Sequence, residues 1–140
     1  VDDEEVSAVR RGPGRHDALE ADWQRVVVDA AHAFGWRVAH FRPALTEKGW
    51  RTPVEADGKG WPDLVLVRDR VIYAELKSKT GRLSADQVEW VRRLERAGQE
   101  CYVWRPGDFA EVERILRPGG APGRSRGAAT LSGSARAPGA

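Results

Sequence analysis

Asp63, Glu75 and Lys77 are the residues whose types and spacing could do chemistry together. Asp63 precedes the apolar run Leu64-Val65-Leu66-Val67. Glu75 and Lys77 close the run Val71-Ile72-Tyr73-Ala74-Glu75-Leu76-Lys77. Both runs are rich in Val, Leu and Ile and read as strands, and Arg68-Asp69-Arg70 between them is short enough to make an antiparallel hairpin. Side chains alternate across a strand, so Glu75 and Lys77 share a face. If the loop is those three residues, Val67 pairs with Val71 and Asp63 falls opposite Glu75, with Cβ atoms about 5 Å apart. Two carboxylates and an ammonium then converge at one end of the hairpin. Apolar residues on both faces of both strands predict central strands buried on both sides. Buried charges are costly unless paired or metal-bound. A purely structural salt-bridge cluster is the poorer explanation, because a buried ion pair stabilises less than apolar packing of the same volume.

The rest of the chain has to position that end. Its 140 residues allow one domain, and 41% hydrophobic against 31% charged residues suffices for a globular core. Residues 1–16 and 118–140 are polar or rich in Gly, Ala, Ser, Pro and Arg, and read as disordered flanks of an ordered unit at 17–117. The net charge of +2 comes from those flanks, since the middle carries equal numbers of acids and bases. Bulk charge is therefore no argument for nucleic acid, and only a local basic patch could be one. Arg124, Arg126 and Arg136 in the tail offer at most a non-specific contact. Cys101, the only cysteine, excludes an internal disulfide and reads as a buried structural thiol. No signal-peptide pattern opens the sequence, and no apolar run approaches the roughly 20 residues of a membrane span. A cytoplasmic protein with no membrane partner is expected.

A helix is predicted over 18–34, with Leu19, Trp23, Val26, Val27, Ala30, Ala31 and Phe34 on its inward stripe, Asp17 as N-cap and Gly35 as the stop. Glu20 lies on the flank of that stripe. By position alone it reads as an acid favoured by the helix dipole rather than a site carboxylate. Trp36 to Phe41 reads as a strand that carries His40. Only His16 and His32 exist beside it, neither at ligand spacing, so a zinc site is rejected. Residues 42–60 form a long connection, of a kind uncommon in compact domains unless functional or mobile. Gly58-Lys59-Gly60 lacks the pattern of a phosphate-binding loop, so no nucleotide cofactor is expected. A basic turn, Ser78 to Leu83, leads into a helix over 84–97 with Ser84 and Gln87 as a capping box, which explains Gln87 without catalysis. Arg92, Arg93 and Arg96 face outward on it. Cys101 to Trp104 is a short strand, and Asp108 to Glu111 a second capping box that opens a last helix ended by Pro118. The predicted order is α-β-β-β-α-β-α, an α/β domain with a central mixed sheet flanked by helices.

Pro62-Asp63 followed by Glu75-Leu76-Lys77 resembles the signature of the PD-(D/E)XK nucleases, which share a restriction-endonuclease-like fold. The wider set resembles the VRR-NUC branch, especially its small stand-alone phage and bacterial forms. It comprises Glu20 on the first helix, Gly35-Trp36, His40, Gly60 to Leu64, Glu75 to Lys77, Ser84 to Gln87 and Ala97-Gly98. The likeness spans about 18–116. The 42–60 connection is longer than that family usually has, which bears on loop contacts rather than on the core site.

The resemblance implies a phosphodiester hydrolase acting on DNA with Mg²⁺ or Mn²⁺. Such cations take hard oxygen ligands and bind through one or two carboxylates. Asp63 and Glu75 suit that role, and the resemblance adds the Leu76 backbone carbonyl and Glu20 as metal ligands. It gives Lys77 a role in stabilising developing charge and Gln87 a contact in the active site. His40, Arg42, Lys79, Arg82, Arg92 and Arg93 are the expected DNA contacts. A non-catalytic module of the same fold is the alternative, and the retained Lys77 argues against it. Stand-alone relatives imply a homodimer acting on four-way junctions, whereas embedded ones act on flaps. Trp50, Trp61, Trp90 and Trp104 are candidates for an interface, with at least two expected in the core.

Overall fold

The computed structural model describes residues 15–41, 44–47, 49–51 and 54–122. The elements are α1 (Arg15–Ala33), β1 (Arg37–His40), β2 (Ala44–Thr46), β3 (Gly49–Arg51), β4 (Leu64–Val67), β5 (Val71–Leu76), α2 (Ala85–Arg96), β6 (Glu100–Trp104), a 3-10 turn (Pro106–Asp108) and α3 (Phe109–Leu116). The main sheet has the order β1-β4-β5-β6, antiparallel except for the parallel pair β5–β6. The predicted α/β order holds with one correction. The 42–60 connection contains a small hairpin, β2–β3, outside the main sheet. Strands of three residues are too short to carry a periodic signal. Most of the two flanking segments, with Arg124, Arg126 and Arg136, lies outside the described residues.

Val67 pairs with Val71, as a three-residue turn requires. The side chains of Leu64, Leu66, Ile72, Ala74 and Leu76 are buried on one face of the sheet with Trp23, Val27 and Ala31 of α1 and Val112, Ile115 and Leu116 of α3. The other face packs Tyr73, Cys101 and Val103 against Val91 and Leu94 of α2. Burial raises the Cys101 thiol to about 12, so it is inert. Two-sided burial does not extend along the whole hairpin: Val67 and Val71 at its turn are exposed, because α2 covers β5 and β6 but not the turn.

Two helix starts differ from expectation. α1 begins at Arg15, so Asp17 lies within its first turn rather than at the cap. The inward stripe is also narrower than predicted, with Leu19 51% and Val26 44% exposed. At α3 the expected capping box does not form. Pro106 starts a 3-10 turn that carries Asp108 back, and its Oδ2 accepts from the Arg105 N–H at 2.9 Å. Gln87 N–H to Ser84 Oγ (3.2 Å) and Ser84 N–H to Gln87 Oε1 (2.8 Å) do make the predicted box at α2. Among the described residues no helix is long and apolar enough to cross a membrane.

The hairpin turn is a structural hub. Arg68 donates to the carbonyls of Phe34 (2.8 Å) and Leu116 (3.0 Å). Arg70 donates to Glu100 (2.8 Å), Ile115 O (3.1 Å) and Gly120 O (3.1 Å). Both guanidiniums lie near the ring of Trp36, whose Nε1 donates to Leu116 O at 2.8 Å. Carbonyls at the ends of α1 and α3 have no partner within their helices, and a cation there also meets the negative end of the dipole. The fork of Arg70 cannot be copied by an ammonium. Arg70→Ala is expected to destabilise the domain by about 2–4 kcal/mol, with Arg70→Lys recovering little of it. Urea unfolding measures this, and an Arg70→Lys protein as stable as wild type would contradict it.

Candidate active site

Continuing the hairpin register by one pair sets Asp63 opposite Glu75. Asp63 is anchored through both main chain and side chain: its carbonyl accepts from the Phe41 N–H at 2.8 Å, and its Oδ2 from the Leu76 N–H at 2.9 Å. Glu75 is only 1% exposed. Its Oε1 accepts from Gln87 Nε2 at 3.1 Å. Gln87 thus makes two contacts, with its amide oxygen in the cap and its amide nitrogen on Glu75. Gly60 lets this happen: at φ 85° it lies so close to α2 that a Cβ would meet the backbone of Asp86 and Gln87 at 2.5–2.6 Å. The chain just before Asp63 therefore rests directly on the first turn of α2.

Lys77 Nζ lies 3.5 Å from Glu20 Oε1, and the Ser78 N–H reaches the same oxygen at 3.4 Å. Glu20 therefore turns toward the sheet end, which the helix-dipole reading of its position did not anticipate. Gly81 makes room for this contact, since a Cβ there would meet Glu20 Oε1 at 3.1 Å and Lys77 Cδ at 3.4 Å. The loop carrying Lys77 is fixed by the Lys77 N–H on Trp104 O (3.0 Å) and by Arg105, which donates to Ser78 O (2.6 Å) and Gly81 O (2.7 Å). Sequence reasoning missed Arg105. Its signal, an arginine just past the apolar run Cys101 to Trp104, has meaning only once β6 is known to lie beside β5.

Burial raises the Asp63 carboxyl above its ordinary range. Burial, and then the charge of Asp63, push Glu75 well above its own. The two carboxyls are close enough to share a hydrogen bond that favours the proton on Glu75 and the charge on Asp63. Glu75 Oε2 is buried and has no donor among the described residues. A proton shared with Asp63 relieves it, and a hard divalent cation is the other group that fits this donor set. Among the described residues no three carboxylates, imidazoles or thiols converge as a metal-binding group.

The other predicted contacts are dispersed. His40 pairs with Leu64 in the ladder, one position from Asp63, and its Nε2 lies 3.1 Å from Gln24 Oε1. Lys79 and Arg82 are exposed on the loop beyond Lys77. Arg92 is exposed on α2, and Arg93 pairs with Glu89 at 2.7 Å. Arg42 lies outside the described residues. Of the four tryptophans proposed for an interface, Trp104 is a core residue at 2% exposure. Trp61 and Trp90 pack edge-to-face against each other, and the side chain of Trp50 is outside the described set.

The sequence model of the VRR-NUC domain matches residues 22–106. The chain belongs to the VRR-NUC family. No curated protein matches it. The matched span contains Asp63, Glu75, Lys77 and Gln87 and starts two residues after Glu20. The four-stranded mixed sheet and flanking helices are the PD-(D/E)XK-like fold of VRR-NUC domains, which makes this a nuclease-type domain for processing DNA.

A raised carboxyl pKa in the folded VRR-NUC domain has a definite sign. Between the ordinary value and the raised one, the folded state holds the proton that the unfolded state has lost. Stability therefore falls as pH rises through that window. In EDTA the slope should approach about 1.4 kcal/mol per pH unit per proton. Glu75→Gln keeps the acceptor for Gln87 and should flatten the slope while stabilising the metal-free protein at neutral pH. Urea unfolding across pH tests this, and an unchanged slope in the variant would refute the assignment to Glu75.

Proposed function

We propose that this domain is a Mg²⁺- or Mn²⁺-dependent endonuclease that hydrolyses phosphodiester bonds in branched DNA as a homodimer. The observation that carries the reading is the Asp63–Glu75 pair, with Glu75 buried, one of its oxygens without a donor among the described residues, and Lys77 alongside. Asp63 and Glu75 would hold the cation, with the Leu76 carbonyl and Glu20 as further oxygens. When bound, it would polarise a phosphoryl oxygen and lower the pKa of a water. Gln87 fixes the rotamer of Glu75 through a hydrogen bond anchored in the helix cap. Lys77 places a positive charge where negative charge grows on the phosphate or on the attacking water. Glu20 and the loop tied down by Arg105 keep that ammonium in place. Pre-set positioning of this kind lowers the reorganisation needed during reaction.

Asp63→Ala and Glu75→Ala should each lower cleavage by at least about 10²-fold and weaken Mn²⁺ binding. Lys77→Ala should lose cleavage to a similar extent while still binding Mn²⁺. Full cleavage in EDTA, or in any of the three variants, would rule out the reading. A protein that binds DNA and Mn²⁺ but never cuts would instead be a binding module.

Two observations support the dimer. Residues 17–117, with equal numbers of acids and bases, offer few phosphate contacts per copy. Leu19 and Val26, seven residues apart on α1, are an exposed apolar pair on one helix face. A two-fold pairing would bring two sites to two strands, flanked by the basic residues Lys79, Arg82, Arg92 and Arg93. Sedimentation at micromolar concentration should show a dimer that Val26→Glu dissociates, and the dimer should place paired symmetric nicks in a four-way junction. A monomer that nicks linear duplex as readily as a junction would contradict this half of the proposal.

A further inference from the structure

Beside the carboxylates lies a second feature that the chemistry above does not use. Phe41, Val54, Glu55, Trp61 and Trp90 help to bound a cavity of about 420 Å³ with a mainly apolar lining. We infer that this cavity receives one unpaired nucleobase of the DNA strand held at Asp63. The inference rests on the nuclease reading and adds a substrate class to it.

Continuity with the site is the first argument. The Phe41 N–H donates to the Asp63 carbonyl at 2.8 Å, and Pro62 alone separates Trp61 from Asp63. Two walls of the cavity are thus attached to the residue proposed to meet the phosphate. A base on a neighbouring nucleotide has only to turn out of the strand to reach them. The walls are also preformed. Trp90 Nε1 donates to the carbonyls of Asp57 and Lys59, both at 3.0 Å, which ties α2 to the 54–60 loop. Trp61 meets Phe41, Tyr73 and Trp90 edge-to-face, at centroid distances of 6.1, 5.8 and 4.9 Å.

Charge selects the occupant. Glu55 and Asp57 are exposed at the rim and repel a phosphate. A neutral, flat group whose ring N–H or exocyclic amine can donate to carboxylates suits an acidic rim over an aromatic floor. A nucleobase is that group within DNA, and aromatic stacking accepts every base because each has a π face. A base inside a duplex cannot enter without leaving its stack. The favoured substrates therefore carry an unpaired nucleotide beside the cut, as in a flap, a single strand or a branch point where a base pair has opened.

The test uses the full chain in EDTA, with oligonucleotides carrying 5-iodouracil at one position that is either unpaired or within continuous duplex. Irradiation should attach the unpaired base to a peptide containing Phe41, Trp61 or Trp90, and the paired base should not react there. Phe41→Leu keeps apolar volume but removes the aromatic face. It should weaken binding of the unpaired DNA about five- to a hundredfold and leave duplex binding unchanged. Adducts elsewhere, or equal losses on both DNAs, would overturn the inference. So would a Phe41→Leu protein whose self-association changes while its DNA binding does not, since the cavity would then be a contact between copies. Cross-linking is read without cleavage: a protein that cuts DNA without these adducts sinks the base pocket alone. Adducts on a protein that never cuts would leave the pocket and remove the nuclease.

Discussion

Asp63 and Glu75 meet because three residues join β4 to β5 and Val67 pairs with Val71. Slipping that register by one position would turn Glu75 to the opposite face of the sheet and carry Asp63 out of line with it. Everything else about the site follows from holding this pair in place. The arginines of the turn lock the far end of the hairpin to the ends of α1 and α3. The parallel strand β6 fixes the near end through the Lys77 N–H on Trp104 O. Helix α2 then brings Gln87 onto Glu75. The cost of burying Glu75 and half-burying Asp63 falls on one end of an otherwise well-packed sheet.

The two sides of the site differ in how their charge is balanced. On one side an amide donor serves a single oxygen of Glu75, and the other oxygen has no donor among the described residues. On the other, Lys77 and Glu20 balance each other, and Ser78 and Arg105 hold the connecting backbone. The pair without enough donors is the part suited to an added cation. The balanced pair presents an ammonium at a set position. Removing Arg105 would free the loop without removing any charge from the carboxylates, which makes it a positioning residue.

The hairpin, its register and the α2 cap were legible because each depends on neighbours close in sequence. Alternation, turn length and a Ser-x-x-Gln spacing are local signals. The fold family was legible from the ordered set of motifs around Asp63 and Glu75. Glu20 was only half legible. Its place on the flank of the α1 stripe is local, but whether it turns to the sheet depends on Lys77, 57 residues later. Gln87 looked fully explained by its cap, yet its second hydrogen bond crosses from α2 to β5. The work of Arg68 and Arg70 was invisible because their partners lie at three helix and strand ends far along the chain. Leu19 and Val26 fit the inward period and are nonetheless exposed, since periodicity gives the width of an apolar stripe but not how much of it a sheet covers.

Titration calorimetry of Mn²⁺ into the protein, in buffers of differing ionisation enthalpy, tests the Asp63–Glu75 pair most directly. If Asp63 and Glu75 form a cation site whose empty state holds a shared proton, Mn²⁺ binding releases that proton and tightens as pH rises. Glu75→Gln then weakens binding and abolishes the proton release. Absence of binding, or binding with no proton release and an affinity indifferent to pH, would show that the pair is a structural cluster and not a metal centre.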